Sequence, residues 1–360
     1  MSGTADKFCE FDGFLAHYTP LTPYGRLEIW SGKFREDRAE LERIFDLTET
    51  FAAFLKASPA RADKFAFHLR NIPRLPEVFS GPADLFLAKK FLINYAAAGA
   101  ALPAALKKDL RFARRPAKLP DALSAGPSGT FHIASASSPE LARTRASIAS
   151  ADRRLAAMKE ERLRELRKLS GLDFAGLDFL VAEEDRVRPL AAEGKIFTEP
   201  YDAGRVTIKP VMDAAYLDLA GERERLRAEE KKEEARICAE LCALAKKEEA
   251  ELAACADSAG LADAAFARAK MAAKLRLSRP VFRPHGAPLV FRKARFVPLE
   301  IALAGYGLGY TPLDFSFSER VTVLHGSNMG GKTVVLKTAV LLQLAAQRGF
   351  FVPAARFETC

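Results

Sequence analysis

"HGSNMGGKTVVLKT", His325 to Thr338, decides how the fold is read. Gly326, Gly331, Lys332 and Thr333 fill the pattern G-x-x-x-x-G-K-[ST], and the apolar run Val321-Thr322-Val323-Leu324 comes just before it. That order predicts a strand, a glycine-rich loop and a helix starting near Lys332. Phosphate chemistry explains the residue types. Successive backbone N–H groups must turn inward around the anion, so the loop favours residues with no bulky Cβ, and Gly330-Gly331 supply that freedom. The helix aims its positive dipole end at the same place. Lys332 reaches the β- and γ-phosphates as a point charge, and the Thr333 hydroxyl ligates Mg²⁺. The stretch therefore points to ATP and Mg²⁺ held by Gly326, Ser327, Asn328, Met329, Gly330, Gly331, Lys332 and Thr333. The plainer alternative is a strand-to-helix turn that binds nothing.

Working outward, 360 residues with 49% hydrophobic and 28% charged side chains suit two or three domains with a sizeable core. The opening MSGTADKFCEFDG lacks a basic-then-apolar leader, and no apolar run reaches membrane-spanning length. A cytoplasmic home with no membrane partner is expected. Cys9, Cys238, Cys242, Cys255 and Cys360 form no C-x-x-C pair, which argues against a disulfide framework or a metal site.

The net charge of +9 is unevenly placed. Between Ala264 and Leu299 stand Arg268, Lys270, Lys274, Arg276, Arg279, Arg283, Arg292, Lys293 and Arg295 with no acidic residue among them. A second cluster holds Lys107, Lys108, Arg111, Arg114, Arg115 and Lys118, opposed by Asp109 alone. Such tracts are the footprint of a polyanion partner, or else a solvated surface balanced by acids elsewhere in the fold.

Residues 1 to about 120 read as mostly helical, with the best helices at Leu41 to Leu55 and Leu85 to Ala97 and turns at Thr22-Pro23-Tyr24-Gly25 and Asn71-Ile72-Pro73. Asp121 to Ser138 reads as a connection. Ser138-Pro139-Glu140 then writes a helix start, with Ser as N-cap and Pro in the first turn. The helix runs to about Ser170 and stops at Gly171. Leu141, Ile148 and Leu155 form its seam, continued by Met158, Leu166 and Leu169. That is about 48 Å of rod at 1.5 Å per residue. A second long helix is expected from about Val211 to Ala254, carrying Ile237, Leu241 and Leu244, so the two suggest an antiparallel pair. Between them Asp178 to Ala182 and Arg205 to Ile208 predict a small β-containing tip. The charges on the rods read mainly as a solvated face, with one or two basic positions at the tip free to touch a partner.

Asn328-Met329-Gly330-Gly331-Lys332-Thr333, followed by Val334-Val335-Leu336-Lys337-Thr338 and Gly349-Phe350-Phe351-Val352-Pro353-Ala354, resembles the ATPase of the MutS family of DNA mismatch-repair proteins. Ser327 stands where that family usually has Pro. The Thr-Val-Val-Leu-Lys-Thr continuation is more similar to the recombination-suppressing branch and other short relatives than to the mismatch-sensing branch. Tyr310-Thr311-Pro312-Leu313-Asp314 sits where the family has an aromatic-led segment, so the resemblance makes Tyr310 the candidate ring against adenine, the alternative being a Tyr on a strand edge. Leu261 to Pro280 resembles the lever helix entering the ATPase. Thr22-Pro23-Tyr24-Gly25-Arg26 and Leu85-Phe86-Leu87-Ala88-Lys89 resemble the start of the helical core.

The resemblance implies a mainly α fold with an α/β part. A helical core (1–138) leads to long antiparallel lever helices with a small β-containing clamp tip (139–280, tip about 173–210), and then to the first part of a P-loop ATPase domain (281–360). It implies an ATP-dependent clamp on double-stranded or branched DNA and a homodimer for the complete protein, with Arg276, Arg279, Arg283, Arg292 and Lys293 as candidate DNA contacts. No Gly-x-Phe-Tyr-Glu wedge segment occurs, so direct mismatch sensing is not expected. The chain ends before the family's acidic strand end and signature loop, so the 360 residues alone are expected to hydrolyse ATP poorly. Two other readings stay open: a MutS-derived ATPase with a non-DNA remodelling role, and another coiled-coil P-loop ATPase. Gly305-Tyr306-Gly307-Leu308-Gly309 is a flexible turn rather than a dinucleotide fingerprint, because its third Gly falls at the wrong spacing.

Overall fold

The computed structural model describes residues 3–30, 34–112, 114–124, 133–174, 177, 179–283, 288–319, 321–326 and 331–360. It is mainly helical with two small sheets, and the chain divides into two compact units. One holds Met1–Phe79, Ala83–Leu123 and Leu244–Cys360; the other holds Ser80–Pro82 and Ser124–Ala243.

The first unit opens with eight helices: α1 (Thr4–Phe8), α2 (Phe11–Leu15), α3 (Pro23–Trp30), α4 (Arg38–Ala57), α5 (Pro59–Arg70), α6 (Pro82–Ala101), α7 (Ala104–Asp109) and α8 (Leu119–Ser124). α4 and α6 are the two helices that apolar periodicity located. Thr22-Pro23-Tyr24-Gly25, expected as a turn, instead starts α3: Thr22 Oγ1 accepts from the Gly25 N–H at 2.9 Å, and Pro23 fills the first helical position, where its missing N–H costs nothing.

In the second unit α9 (Pro139–Ser170) starts and stops where the sequence says. Ser138 Oγ accepts from the N–H groups of Glu140 and Leu141, and Gly171 ends the helix in the left-handed region at φ 68°. Leu141, Ile148, Leu155 and Leu166 are buried along the seam, whereas Leu169 is exposed. The tip contains β1 (Leu180–Glu183), α10 (Glu184–Ala192), β2 (Ile196–Asp202) and β3 (Arg205–Pro210), of which α10 and β2 had no expected counterpart. Its sheet is antiparallel in the order β1-β3-β2 and closes over Leu166, Phe174, Val187, Ile196, Val206 and Ile208.

The return rod is α11 (Ala214–Lys247). Ser138 meets Glu233, Arg145 meets Glu230 and Glu234, Leu155 packs near Leu219, and Arg162 donates to the Val211 carbonyl. Numbers rise on α9 as they fall on α11, so the pair is antiparallel.

The expected single helix to Ala254 is two helices. It breaks at Glu248 (φ −102°, ψ 22°), and α12 (Glu249–Leu275) follows in the first unit. Bonds from Glu248 N–H to Leu244 O and from Leu252 N–H to Glu248 O span the break, so helical hydrogen bonding continues across it. The Glu248 carboxylate meanwhile accepts from the Lys118 and Leu119 N–H groups, both at 3.0 Å, capping α8. Periodicity could not show this, because the cap joins residues about 130 positions apart.

α12 is buried nearly all round, and the small residues Ala259, Ala262, Ala265 and Ala269 line it. Small residues let neighbours approach closely: a Cβ on Gly260 would meet Tyr24 Cβ at 3.0 Å. After it come β4 (Val281–Phe282), β5 (Leu289–Ala294), α13 (Val297–Gly305), β6 (Leu313–Phe317), α14 (Lys332–Gln347) and β7 (Arg356–Thr359). The sheet order is β4-β7-β5-β6, parallel between β4 and β7 and antiparallel elsewhere. Phe45 of α4 stacks on Phe282, Tyr18 meets Phe350 edge-on, and Leu341, Leu342 and Ala345 of α14 lie in the same core. Each such buried aromatic or aliphatic side chain contributes about 1.5–3 kcal/mol of transfer free energy.

One expected strand is missing. Residues 321–324 form no strand, and Val321 and Val323 are exposed. A strand exists through its neighbours' hydrogen bonds, and among the described residues none lies beside this run.

Candidate nucleotide site

Gly331 caps α14 at φ 73° with open space where a Cβ would stand. The glycine is therefore required for its backbone angle, which a side chain would strain, and not for room. Gly326, at φ 151°, lies in the same sterically restricted half of backbone space. The Lys332 ammonium reaches back and donates to the Gly326 carbonyl at 2.8 Å. Val334 and Val335 donate to the Gly331 carbonyl at 2.9 and 3.1 Å, so the first turn is formed. The N–H groups of Lys332 and Thr333, at the head of the helix, have no intrahelical acceptor by geometry, and Thr333 is exposed. Ser327, Asn328, Met329 and Gly330 lie outside the described residues. Two positive-φ glycines, a lysine ammonium on the Gly326 carbonyl and an exposed threonine at a helix head are chemistry that suits a phosphate chain with Mg²⁺.

Tyr310 lies beside the second turn of that helix. Its hydroxyl oxygen accepts from the Phe296 N–H at 3.0 Å and contacts the Thr338 side chain, while burial pushes its pKa above the usual tyrosine value. Thr338 in turn donates to the Val334 carbonyl at 2.6 Å. The ring packs partly against the core. Sequence reading supplied the ring and missed the hydroxyl, since the partner residue Phe296 carries no motif.

The basic tract that includes the five candidate DNA contacts is divided. Arg279 is gripped by Glu42, Asp46 and Glu49 of α4 at 2.5, 2.8 and 2.7 Å, and those carboxylates hold its pKa above the usual arginine value. Arg283 pairs with Glu358, whose carboxyl it helps hold down at about 2. Outside the five, Arg295 pairs with Glu300, and Arg268 is buried over the Tyr18 and Phe350 rings. Arg276, Arg292 and Lys293 are exposed. The second cluster fares differently: Lys108, Arg111, Arg114, Arg115 and Lys118 are all exposed, and among the described residues no carboxylate forms an ion pair with them. At the tip, residues 173–210 hold eight carboxylates against five basic side chains, and Arg205 and Lys209 pair with Asp202 and Glu199.

Among the described residues no helix is long and apolar enough to cross a membrane, and no group of three His, Cys, Asp or Glu side chains could hold a metal ion.

No family model matches the chain. It is similar to the curated protein Endonuclease MutS2 of Thermomicrobium roseum (strain ATCC 27502 / DSM 5159 / P-2), 31% identical over 258 residues, which are 65% of this chain and 30% of that protein. The protein of the same name from Pelotomaculum thermopropionicum (strain DSM 13744 / JCM 10971 / SI) is 31% identical over 235 residues, 62% of this chain and 28% of that one. That from Geobacillus thermodenitrificans (strain NG80-2) is 37% identical over 137 residues, 36% of this chain and 16% of that one. The chain is a relative of proteins carrying that name. It spans 30% or less of the length of these relatives.

Proposed function

We propose that this chain carries the nucleotide loop and lever rods of a MutS-like, DNA-associated ATPase, in which ATP at the loop is coupled to movement of the rods. The observation that supports the reading is the pairing of Lys332 with the Gly326 carbonyl, with Gly331 left-handed at the head of α14. In this role the amides at the head of α14 would bind phosphate, Lys332 would neutralise its charge, and the Thr333 hydroxyl would hold Mg²⁺. Bound ATP would supply the phosphoryl group. Similarity to MutS2 proteins supports the kinship on which the DNA role and a homodimeric assembly rest.

Titration of a fluorescent ATP analogue into the wild type and Lys332→Ala tests the reading. Lys332→Ala is expected to weaken binding at least about tenfold without unfolding the protein, because the side chain faces the loop and not the core. Equal affinity in the two proteins overturns it.

Within this reading the exposed cations at 108–118 are the candidate phosphate contacts. Arg279 and Arg283 are engaged internally, whereas the exposed cations at 108–118 remain available for phosphates. A second reading, a MutS-derived ATPase acting on a non-DNA partner, draws on the acidic tip, which would repel a nucleic-acid backbone.

A further inference from the structure

Two charged contacts hold α14 from the same short piece of chain. Lys337, in its second turn, pairs with Glu10 at 2.6 Å and lies 5.7 Å over the Phe296 ring. Arg348, immediately after its last residue, pairs with Asp6 at 2.7 Å and lies 4.4 Å over the Phe11 ring. The two points are eleven positions apart, about 16 Å along the helix. Fixing a stiff rod at two separated points sets both its position along the axis and its rotation, which a single contact cannot do. Phe14 and Tyr18 complete the attachment, edge-on against Phe350 at 6.1 and 5.1 Å.

The two ion pairs differ in weight. Glu10 is half exposed, and an exposed pair contributes little to stability. The Asp6 and Arg348 side chains are only 9% and 15% exposed, so removal of one strands the other's charge away from water. Glu10 also holds a left-handed backbone, φ 52°, unusual for a residue with a side chain. That conformation caps the start of α2 and is kept although it is intrinsically unfavourable.

Phe296 joins Lys337 to Tyr310 through its ring and its N–H, and Tyr310 joins Thr338. Contacts from Glu10 thus run to the candidate nucleotide neighbourhood through the second turn of α14.

We propose that residues 4–18 form a strap on the P-loop helix whose docking responds to nucleotide at the head of that helix. The proposal rests on the ATP reading above. If phosphate binding orders or shifts α14, a segment fastened to it at two points must feel the change, and the coupling must be equal in both directions. Asp6 and Glu10 are then positioning residues for Lys332 and Thr333.

Hydrogen exchange followed by mass spectrometry on the full chain, with and without Mg²⁺ and the slowly hydrolysed analogue ATPγS, tests this. Nucleotide is expected to slow exchange of amides in residues 4–18 by about fivefold, alongside those at the start of α14. In Glu10→Gln the nucleotide should still protect α14 while its effect on the strap shrinks, and Glu10→Lys combined with Lys337→Glu should restore it. Protection of α14 with no change at 4–18 in the wild type overturns the strap and leaves the ATP reading standing. No nucleotide-dependent change anywhere, together with no binding of the fluorescent analogue, overturns both. The wild-type comparison decides the matter even if a variant fails to fold.

Discussion

Asp263→Asn replaces one atom of a fully buried side chain, and the surroundings of that atom set the expected cost. Asp263 Oδ2 accepts from the Leu21 N–H at 2.9 Å, the Thr22 N–H at 2.6 Å and the Thr22 hydroxyl at 2.7 Å, and Oδ1 accepts from the Leu21 N–H at 2.9 Å. The carboxylate fastens α12 to the start of α3 through donors alone. An asparagine oxygen can take the Oδ2 place, but its NH₂ then faces the Leu21 N–H, donor against donor, with no acceptor given for its protons. Three charge-assisted bonds fall to neutral strength, a loss of about 1 kcal/mol each, and the misplaced NH₂ adds about 1–2 kcal/mol. Relief of burying a charge offsets part of this, leaving a net destabilisation of about 2–4 kcal/mol. Urea unfolding followed by far-ultraviolet circular dichroism measures it.

The pH dependence gives a second check on the same residue. Burial raises the folded pKa of Asp263 above its ordinary 3.8, and the hydrogen bonds only partly oppose it. A raised acid contributes stability that is full below 3.8 and lost as pH rises through the folded pKa. The gap between wild type and Asp263→Asn should therefore narrow as pH rises above that value. A loss under about 1 kcal/mol, or a gap that widens with pH, would refute the reasoning.

Tyr310→Phe should lower stability by about 1 kcal/mol, because the Phe296 N–H loses its acceptor, while ATP affinity changes little; Tyr310→Ala should weaken ATP binding by a further 1–2 kcal/mol, roughly, if the ring meets the base. Equal losses of ATP affinity in both variants would assign the effect to the hydroxyl. Glu233, held down at about 2 by Arg236 and by the Ser138 hydroxyl, contributes stability above its ordinary 4.5 that is lost as pH falls from there toward 2. The acid transition of the rods, followed by circular dichroism, should be shallower in Glu233→Gln, and an unchanged profile would count against the pairing. Neutralising Lys108, Arg111 and Arg114 together should lower the salt slope of duplex binding by about three, at one phosphate per cation, whereas Arg279→Ala should cost stability and leave the slope alone. Fluorescence anisotropy with matched, mismatched and junction DNA at two salt concentrations reads this out, and the absence of any DNA binding would favour the non-DNA reading.

Features written in neighbouring residues were legible in the sequence. The cap at Ser138, the stop at Gly171 and the start of α14 after Gly331 all arise from bonds within a turn or two, so residue order alone specifies them. The strand at 321–324 was not decided in this way, because alternation supplies a face while a strand also needs a neighbour. The fate of the basic residues was not decided locally either. Arg279 meets Glu42 across 237 positions and Arg348 meets Asp6 across 342, while Lys108 and Arg111 stay exposed. A charge count along the chain treats all four alike. Coulomb attraction acts over a few ångströms through space, so only the tertiary fold could determine which cations were matched by a distant carboxylate and which stayed exposed.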